Sequence, residues 1–293
     1  MIRPLALILV LAVALLSTAC FRTSAVVKIK ADGSGEITSR YYFSPQVLEM
    51  VDQMEALGGF QAEAEAPELM ANIGMIREIV SPDKEALVAD AKSYGEGVTY
   101  ARHEKGSDSE GWNGYTVVYQ FKDVRKLTLN QNTIPAKAKE LVEASGEEMD
   151  LDEGGSLSFQ LEGKKLTVSS TLASASAEEI IDEDQLAAAK EMGVKPSEAM
   201  QAAAASTEGM RAGIFLRIDP GIAETDAEHV TGNLIIMSDA EISKVMQDPD
   251  FIAFIDKVVE DPDTVTDKAV KELFGKIEAM TIELSDEITV MFP

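Results

Sequence analysis

The sequence predicts an α+β protein, with antiparallel sheet built from hairpins and helices packed on one face. Three observations carry that expectation. Short segments alternate apolar and polar residues with the period of two that a half-buried strand requires. Neighbouring segments of this kind are joined by short polar turns, which dictates antiparallel pairing. Serine-capped helical stretches follow some of the strand pairs and supply a covering layer.

Taken in order, Val27 and Ile29 alternate with Lys28 and Lys30, Asp32-Gly33-Ser34-Gly35 turns the chain, and Ile37, Ser39, Tyr41 and Phe43 return. Ser44-Pro45 then opens a helix, Ser as N-cap and Pro at its first position, with Val47, Met50, Val51, Met54 and Leu57 on one face. A short helical pattern spans Leu69 to Ile79, and Ser81-Pro82 repeats the cap signal before a helix to about Ser93. Two strands follow, near Val98 to His103 and Gly114 to Phe121, joined by the polar loop Glu104 to Gly111. Residues 132 to 155 read as a helix and an acidic loop. A third hairpin pairs Leu157, Phe159 and Leu161 with Leu166, Val168 and Ser170 across Gly163-Lys164.

Residues 173 to 209 are rich in alanine and read as two short helices broken at Gly193-Val194-Lys195-Pro196. Strands return at Ile214 to Ile218 and Leu234 to Met237, and Ser238-Asp239-Ala240-Glu241 has the form of a capping box opening a helix. Short helices lead to about Ile277, and a closing hairpin is expected from Met280, Ile282 and Leu284 to Ile288, Val290 and Phe292. Strand, connection, strand and serine-capped helix occur at residues 25 to 57 and again at 213 to 248, the pattern of a degenerate internal repeat. The domain reading is a leader at 1–19 and one α+β envelope domain at 20–293, with halves 20–172 and 210–293 joined by the Ala-rich segment 173–209 as a subdivision it allows.

The leader has three parts. Met1-Ile2-Arg3-Pro4 supplies a positive start, Leu5 to Leu16 is unbroken apolar sequence, and Ser17-Thr18-Ala19-Cys20 follows with small residues. A helix over that apolar run rises roughly 18 Å. This falls short of the roughly 30 Å hydrocarbon core, which marks a signal peptide rather than a membrane span. Cys20 is the single cysteine of the chain, and Leu16-Ser17-Thr18-Ala19-Cys20 resembles the bacterial lipobox. Ser17 and Ala19 also satisfy the small-x-small rule of ordinary secretion. An unpaired cysteine at the head of an exported chain favours lipidation, because a disulfide has no partner here. The expectation is an extracytoplasmic protein held to the bacterial envelope by lipid on Cys20, with the membrane as its partner through that lipid. By the sorting rule that the resemblance implies, Phe21 in place of aspartate favours the outer membrane in a cell with two.

Composition narrows the partners. The net charge is −25, from 51 acidic against 26 basic residues. Such a field repels nucleic acid and anionic lipid headgroups, and neither is expected as a general partner. At 293 residues and 45% hydrophobic content the chain can build a real core, and without disulfides it relies on that core.

Chemistry is sparse. His103 and His229 are the two histidines, no Gly-x-Ser-x-Gly turn occurs, and no His/Cys cluster has zinc spacing. Asp261-Pro262-Asp263-Thr264-Val265-Thr266-Asp267 with Glu272 is the nearest approach to a calcium loop. Val265 and Thr266 stand where an oxygen donor and the obligatory glycine belong, and a helix capped by Thr266 explains the same residues. No catalytic residue, metal site or cofactor is expected, and the protein reads as a non-enzyme. Two features could support binding. All six tyrosines and Trp112, the single tryptophan, precede residue 122. Tyr41, Tyr100, Trp112, Tyr115 and Tyr119 fall on or beside strands that could share one sheet, as its core face or as a ligand or partner surface. Thirteen methionines, among them Met50, Met54, Met70 and Met75, suit core filling or an adaptable apolar groove.

The run Val27-Lys28-Ile29-Lys30-Ala31-Asp32-Gly33-Ser34-Gly35, close behind the cysteine, resembles a group of uncharacterised bacterial lipoproteins similar to the LppM-like domain lipoproteins of actinobacteria. Gly95-Glu96-Gly97-Val98, Gly111-Trp112-Asn113-Gly114-Tyr115, Phe121-Lys122-Asp123-Val124 and the stretch from Glu224-Thr225 to Gly232-Asn233 add to it. The resemblance implies an α+β envelope domain without known enzymatic activity. The functional expectation is therefore binding, of an apolar molecule such as a lipid or of a protein, with structural docking into an envelope complex as the alternative.

Overall fold

The computed structural model describes residues 21–58, 77–130, 155–172, 204, 207–260 and 266–293. The leader with Cys20, the segment 132–154, most of the Ala-rich stretch, Met70 and Met75, and the first half of the calcium-like loop lie outside the described residues.

The first hairpin forms as its alternation requires, β1 (Phe21–Ile29) against β2 (Gly35–Phe43) in antiparallel register, Val27 opposite Ile37. Gly35 belongs to the pairing itself, since a Cβ there would sit 1.9 Å from the Lys28 carbonyl oxygen. Helix α1 (Pro45–Gly58) starts where Ser44 caps it, the Val47 amide donating to Ser44 Oγ. Helix α2 (Lys84–Asp90) is capped by Asp83, whose carboxylate accepts from the Ala86 amide, and not by the Ser81 of the sequence signal. A 3-10 turn, Ala91–Tyr94, continues it.

β3 (Thr99–Ser107) pairs with β4 (Asn113–Phe121), and β4 with β2. The segment from Glu104 to Ser107, expected as loop, is strand because the N-terminal half of β4 supplies its ladder partners, Ser107 facing Asn113. After β5 (Thr128–Asn130) the hairpin β6 (Ser156–Glu162) and β7 (Lys165–Ser170) closes over Gly163-Lys164 as expected.

The C-terminal third contributes β8 (Arg211–Ile218), β9 (Glu224–Thr225), β10 (Val230–Thr231) and β11 (Leu234–Glu241). Helices α3 (Ile242–Gln247), α4 (Pro249–Glu260) and α5 (Asp267–Phe274) follow, then β12 (Met280–Ile282) and β13 (Glu287–Met291). Thr266 caps α5 through the Ala269 amide.

Two sheets result. The larger has eight strands in the order β10-β11-β8-β1-β2-β4-β3, with β12 also on β11; the smaller runs β5-β6-β7-β13-β9. Both draw strands from residues before 172 and after 207. Their inward faces, Val27, Ile37, Leu216 and Ile218 from one and Leu157, Phe159, Leu166 and Val290 from the other, enter one continuous core. Leu87 and Ala91 of α2 and its turn, and Val47 of α1, join that core, while Val245, Leu273 and Ile277 form a second, smaller one. The protein is α+β with sheet as its main content.

Three further expectations are corrected. The large sheet is mixed rather than antiparallel, because β1 and β8 run parallel at its centre, Val27 beside Leu216. Ser238 to Glu241 are strand and not a capping box: Asp239 and Ala240 are paired on one side to β8 and on the other to β12. That ladder holds the backbone extended, and the Asp239 carboxylate accepts two hydrogen bonds from Arg211 instead of capping α3. Finally, β12 and β13 do not form a hairpin, since β12 pairs with β11 and β13 with β7 and β9. The chain passes from one sheet to the other at Glu283, whose side chain is fully buried and accepts from the Ser285 and Glu228 amides at 3.2 and 2.8 Å.

Candidate functional site

The inward side chains of the large sheet change in size along its strands. Ile29 and Val27 give way to Ala25 and Thr23 on β1, Ile37 to Ser39 on β2, and Ile218 and Leu216 to Ala212 beyond Ile214 on β8; Ser238 and Ala240 do the same on β11. Register aligns these small residues, with Ala25 between Ser39 and Ile214, Thr23 between Tyr41 and Ala212, and Ala240 opposite Ala212. At the end of the sheet where β1 begins, the floor is therefore lower than in the rest of the core. A cavity of about 170 Å³ lies on it, mostly apolar in lining, with Tyr41, Tyr94, Leu129, Val245, Met280 and Ile282 among its walls.

One wall is held by tyrosines. Tyr94, carried in by the turn after α2, has its hydroxyl 3.0 Å from Ser39 Oγ and 3.3 Å from the Tyr41 hydroxyl. The Tyr41 ring packs at 5.2 Å on Tyr115, and Tyr94 at 4.9 Å on Tyr119. Burial pushes the phenols of Tyr41, Tyr94, Tyr115 and Tyr119 above their ordinary value, so they serve as neutral hydrogen-bonding groups. The Tyr115 hydroxyl is buried without a hydrogen-bond partner among the described residues.

On the opposite side of the same sheet end lies an open cleft of about 1510 Å³. Arg22 forms part of its wall. Its guanidinium sits 4.2 Å from the centroid of the Trp112 ring, pairs with Asp108 and Glu110, and donates from Nε to the Gly209 carbonyl at 2.8 Å. Gly209 has φ +80, and a Cβ there would meet Trp112 at 2.7 Å. Burial works against the charge of Asp108. Hydrogen bonds from the Trp112 and Glu110 amides and the Arg22 guanidinium outweigh it and hold the carboxyl below its ordinary value. Arg211 bonds to Asp239 nearby, whereas Arg40, exposed in the same cleft, makes no ion pair with a described residue.

The five aromatic residues singled out by sequence thus fall in three places. Tyr41, Tyr115 and Tyr119 are buried together, and of these Tyr41 reaches the cavity. Tyr100 is half-buried near the sheet edge, its hydroxyl 2.7 Å from His103 Nδ1 and Lys84 Nζ 5.8 Å from its ring centroid. Trp112 belongs to the outer cleft. Sequence reasoning missed Tyr94, Arg22 and the floor of small residues. The signal for the floor is present, as alanine and serine at inward positions of four strands, but it becomes a hollow only once those strands are side by side. Among the described residues no group of three His, Cys, Asp or Glu side chains is gathered to hold a metal, and no helix is long and apolar enough to cross a membrane. The arrangement can bury an apolar group and offer it one hydrogen bond from Ser39, Tyr41 or Tyr94.

No family model and no curated protein sequence matches this chain. The folded domain of the Mycobacterium tuberculosis LppM protein, solved by NMR, aligns with 74% of this chain and 81% of that one, at 12% identity and a TM-score of 0.29. The likeness is distant.

Proposed function

We propose that this chain is a bacterial envelope lipoprotein, cleaved ahead of Cys20, anchored by lipid on that residue, and acting by binding an apolar ligand rather than by catalysis. The leader and its cysteine support the anchor, and the lack of a retaining aspartate at position 21 favours the outer membrane in a two-membrane cell. The observation that carries the binding role is the apolar cavity of about 170 Å³ over the floor of Thr23, Ala25, Ser39, Ala212, Ser238 and Ala240. An apolar void of roughly 150 Å³ accepts a benzene-sized group, so the cavity suits one ring or one stretch of hydrocarbon chain, with the rest of the ligand outside.

Native mass spectrometry of the full chain, purified without detergent exchange, tests this. An apolar small molecule should accompany the protein into the gas phase. A bare mass, with no adduct from lipid extract added back, would overturn the binding role. In cells fed an alkyne fatty acid, Cys20→Ser should carry no label; labelled mutant protein sinks the anchor.

A second reading, docking into an envelope complex, has one observation behind it. β3 is a long outer strand with most residues exposed from Arg102 to Ser107, and such an edge accepts a partner strand. A co-purifying protein in the same spectrum, without lipid, favours docking.

A further inference from the structure

We infer that the domain stands end-on on the membrane, with the rim of the large sheet where β1 begins set against the phospholipid headgroups. The inference rests on the proposal that Cys20 is lipidated, and its observations are separate. β1 begins at Phe21, so Cys20 precedes a paired strand residue with no leash between them; consecutive Cα atoms are about 3.8 Å apart. Phe21 is in register with Phe43, and Phe43 with Asn113, while Arg22 is in register with Arg211 on the other side. The acylated residue therefore emerges from the middle of a rigid rim that runs from β11 to β3, six strands wide, roughly 24 Å across at the usual strand spacing.

Arg22 makes that attachment stiff. It ties the second residue after the cysteine to Asp108 and Glu110 of the β3–β4 loop, to the Gly209 carbonyl and to the Trp112 ring. Any tilt of β1 must carry the rim with it. Rim chemistry also differs from the rest of the surface. The cleft beside the rim has four basic side chains, Arg22, Arg40, Arg211 and Lys244, among five acidic ones, near balance in a chain with 26 basic and 51 acidic residues. The strongly acidic average surface is repelled by anionic headgroups; this end is repelled less, and its exposed Arg40 can meet a phosphate. Trp112 itself is buried beneath Arg22 and marks the rim from within. The apolar cavity lies in the same half of the sheet, so end-on docking holds it beside the bilayer.

Trp112, as the single tryptophan, reports its own distance from the membrane. The lipidated full chain is reconstituted into phosphatidylcholine vesicles containing a phosphatidylcholine with a nitroxide on its headgroup. Tryptophan emission is compared with that in unlabelled vesicles, and flotation verifies attachment. Loss of Trp112 emission in the nitroxide vesicles is expected. A second protein, Trp112→Phe with Ala31→Trp, moves the reporter to the turn at the other end of β1, about 30 Å away for nine strand residues; its emission should be retained. Protein that floats while Trp112 is unquenched, or while the tryptophan at position 31 is quenched equally, overturns end-on docking and leaves the anchor standing. Protein that does not float overturns the anchor, and the docking with it.

Discussion

The guanidinium of Arg22 lies 4.2 Å from the centroid of the Trp112 ring, so one side chain of the first strand is stacked on the loop that joins β3 to β4. The same group pairs with Asp108, and both of these charged side chains are only 18% exposed. Arg22→Ala removes the stack and the ion pairs and leaves Asp108 without its counter-charge. A loss of about 2 kcal/mol is expected from such contacts, read as a lower urea midpoint. Arg22→Lys should fall between, because an ammonium keeps the charge but not the planar fork. The pH dependence has a definite sign. Asp108 is held below its ordinary value in the folded protein, so its contribution is complete above the unfolded carboxyl value of about 3.9 and fades as pH drops below it. An Arg22→Ala protein that loses the same stability at pH 3 as at pH 7 would contradict this.

Tyr115 and Tyr94 make a contrasting pair. The Tyr115 hydroxyl is buried without a partner, whereas Tyr94 bonds Ser39 and Tyr41. Tyr115→Phe should be neutral or stabilising by up to about 1 kcal/mol, and Tyr94→Phe destabilising by about 1 kcal/mol. Chemical denaturation of both variants checks the difference. The reverse order would mean that Tyr115 has a hydrogen-bond partner in solution.

The same tyrosines set an alkaline limit. Burial raises the phenol of Tyr41, Tyr94, Tyr115 and Tyr119 above the unfolded value. The unfolded chain then loses its phenolic protons first, so stability is flat below about pH 10 and falls above it. Phenolate absorbance of these residues should appear together with loss of far-ultraviolet circular dichroism. Titration of all six tyrosines with the fold intact would refute it.

Glu283 joins the two sheets through two backbone amides. Glu283→Ala empties a fully buried place and takes the acceptor from two part-buried amides, and a loss of about 2 kcal/mol follows. Glu283→Gln retains one acceptor and should lose less. Equal midpoints for the alanine variant and the parent protein would show that the crossover is held by packing alone.

Filling the cavity separates binding from folding. Ala212→Leu extends a side chain into the hollow between Thr23 and Ala240. Affinity for a fluorescent fatty-acid probe should fall about tenfold, equivalent to about 1.4 kcal/mol, while the melting midpoint stays near that of the parent. Unchanged affinity would place the bound probe elsewhere.

Much of the architecture was legible because strand and hairpin signals are local. Val27, Ile29, Ile37, Tyr41 and Phe43 show their shared face by alternation alone, and Gly163-Lys164 marks its turn without reference to anything distant. Ser238 to Glu241 misled for the same reason. A serine followed three residues on by glutamate has the local form of a cap, yet β8 and β12, one on each side, offer ladder bonds that the isolated peptide lacks. Met280 to Phe292 reads as a hairpin by pattern, and the buried Glu283 sends its two halves to different sheets.

The sequence by itself determined the periods of the strands, the caps at Ser44 and Thr266, the acidity of the chain, and the lipobox-like run that ends at Cys20. These are properties of neighbouring residues, set by side-chain alternation, local hydrogen bonding and charge. Tertiary structure alone decided that β8 lies parallel beside β1, more than 180 residues away in the register of Arg22 with Arg211. That pairing aligns Thr23, Ala25 and Ala212 into a single floor and brings Gly209 under Trp112. No periodicity encodes it, because it depends on which distant strand best buries its apolar face at the centre of the sheet.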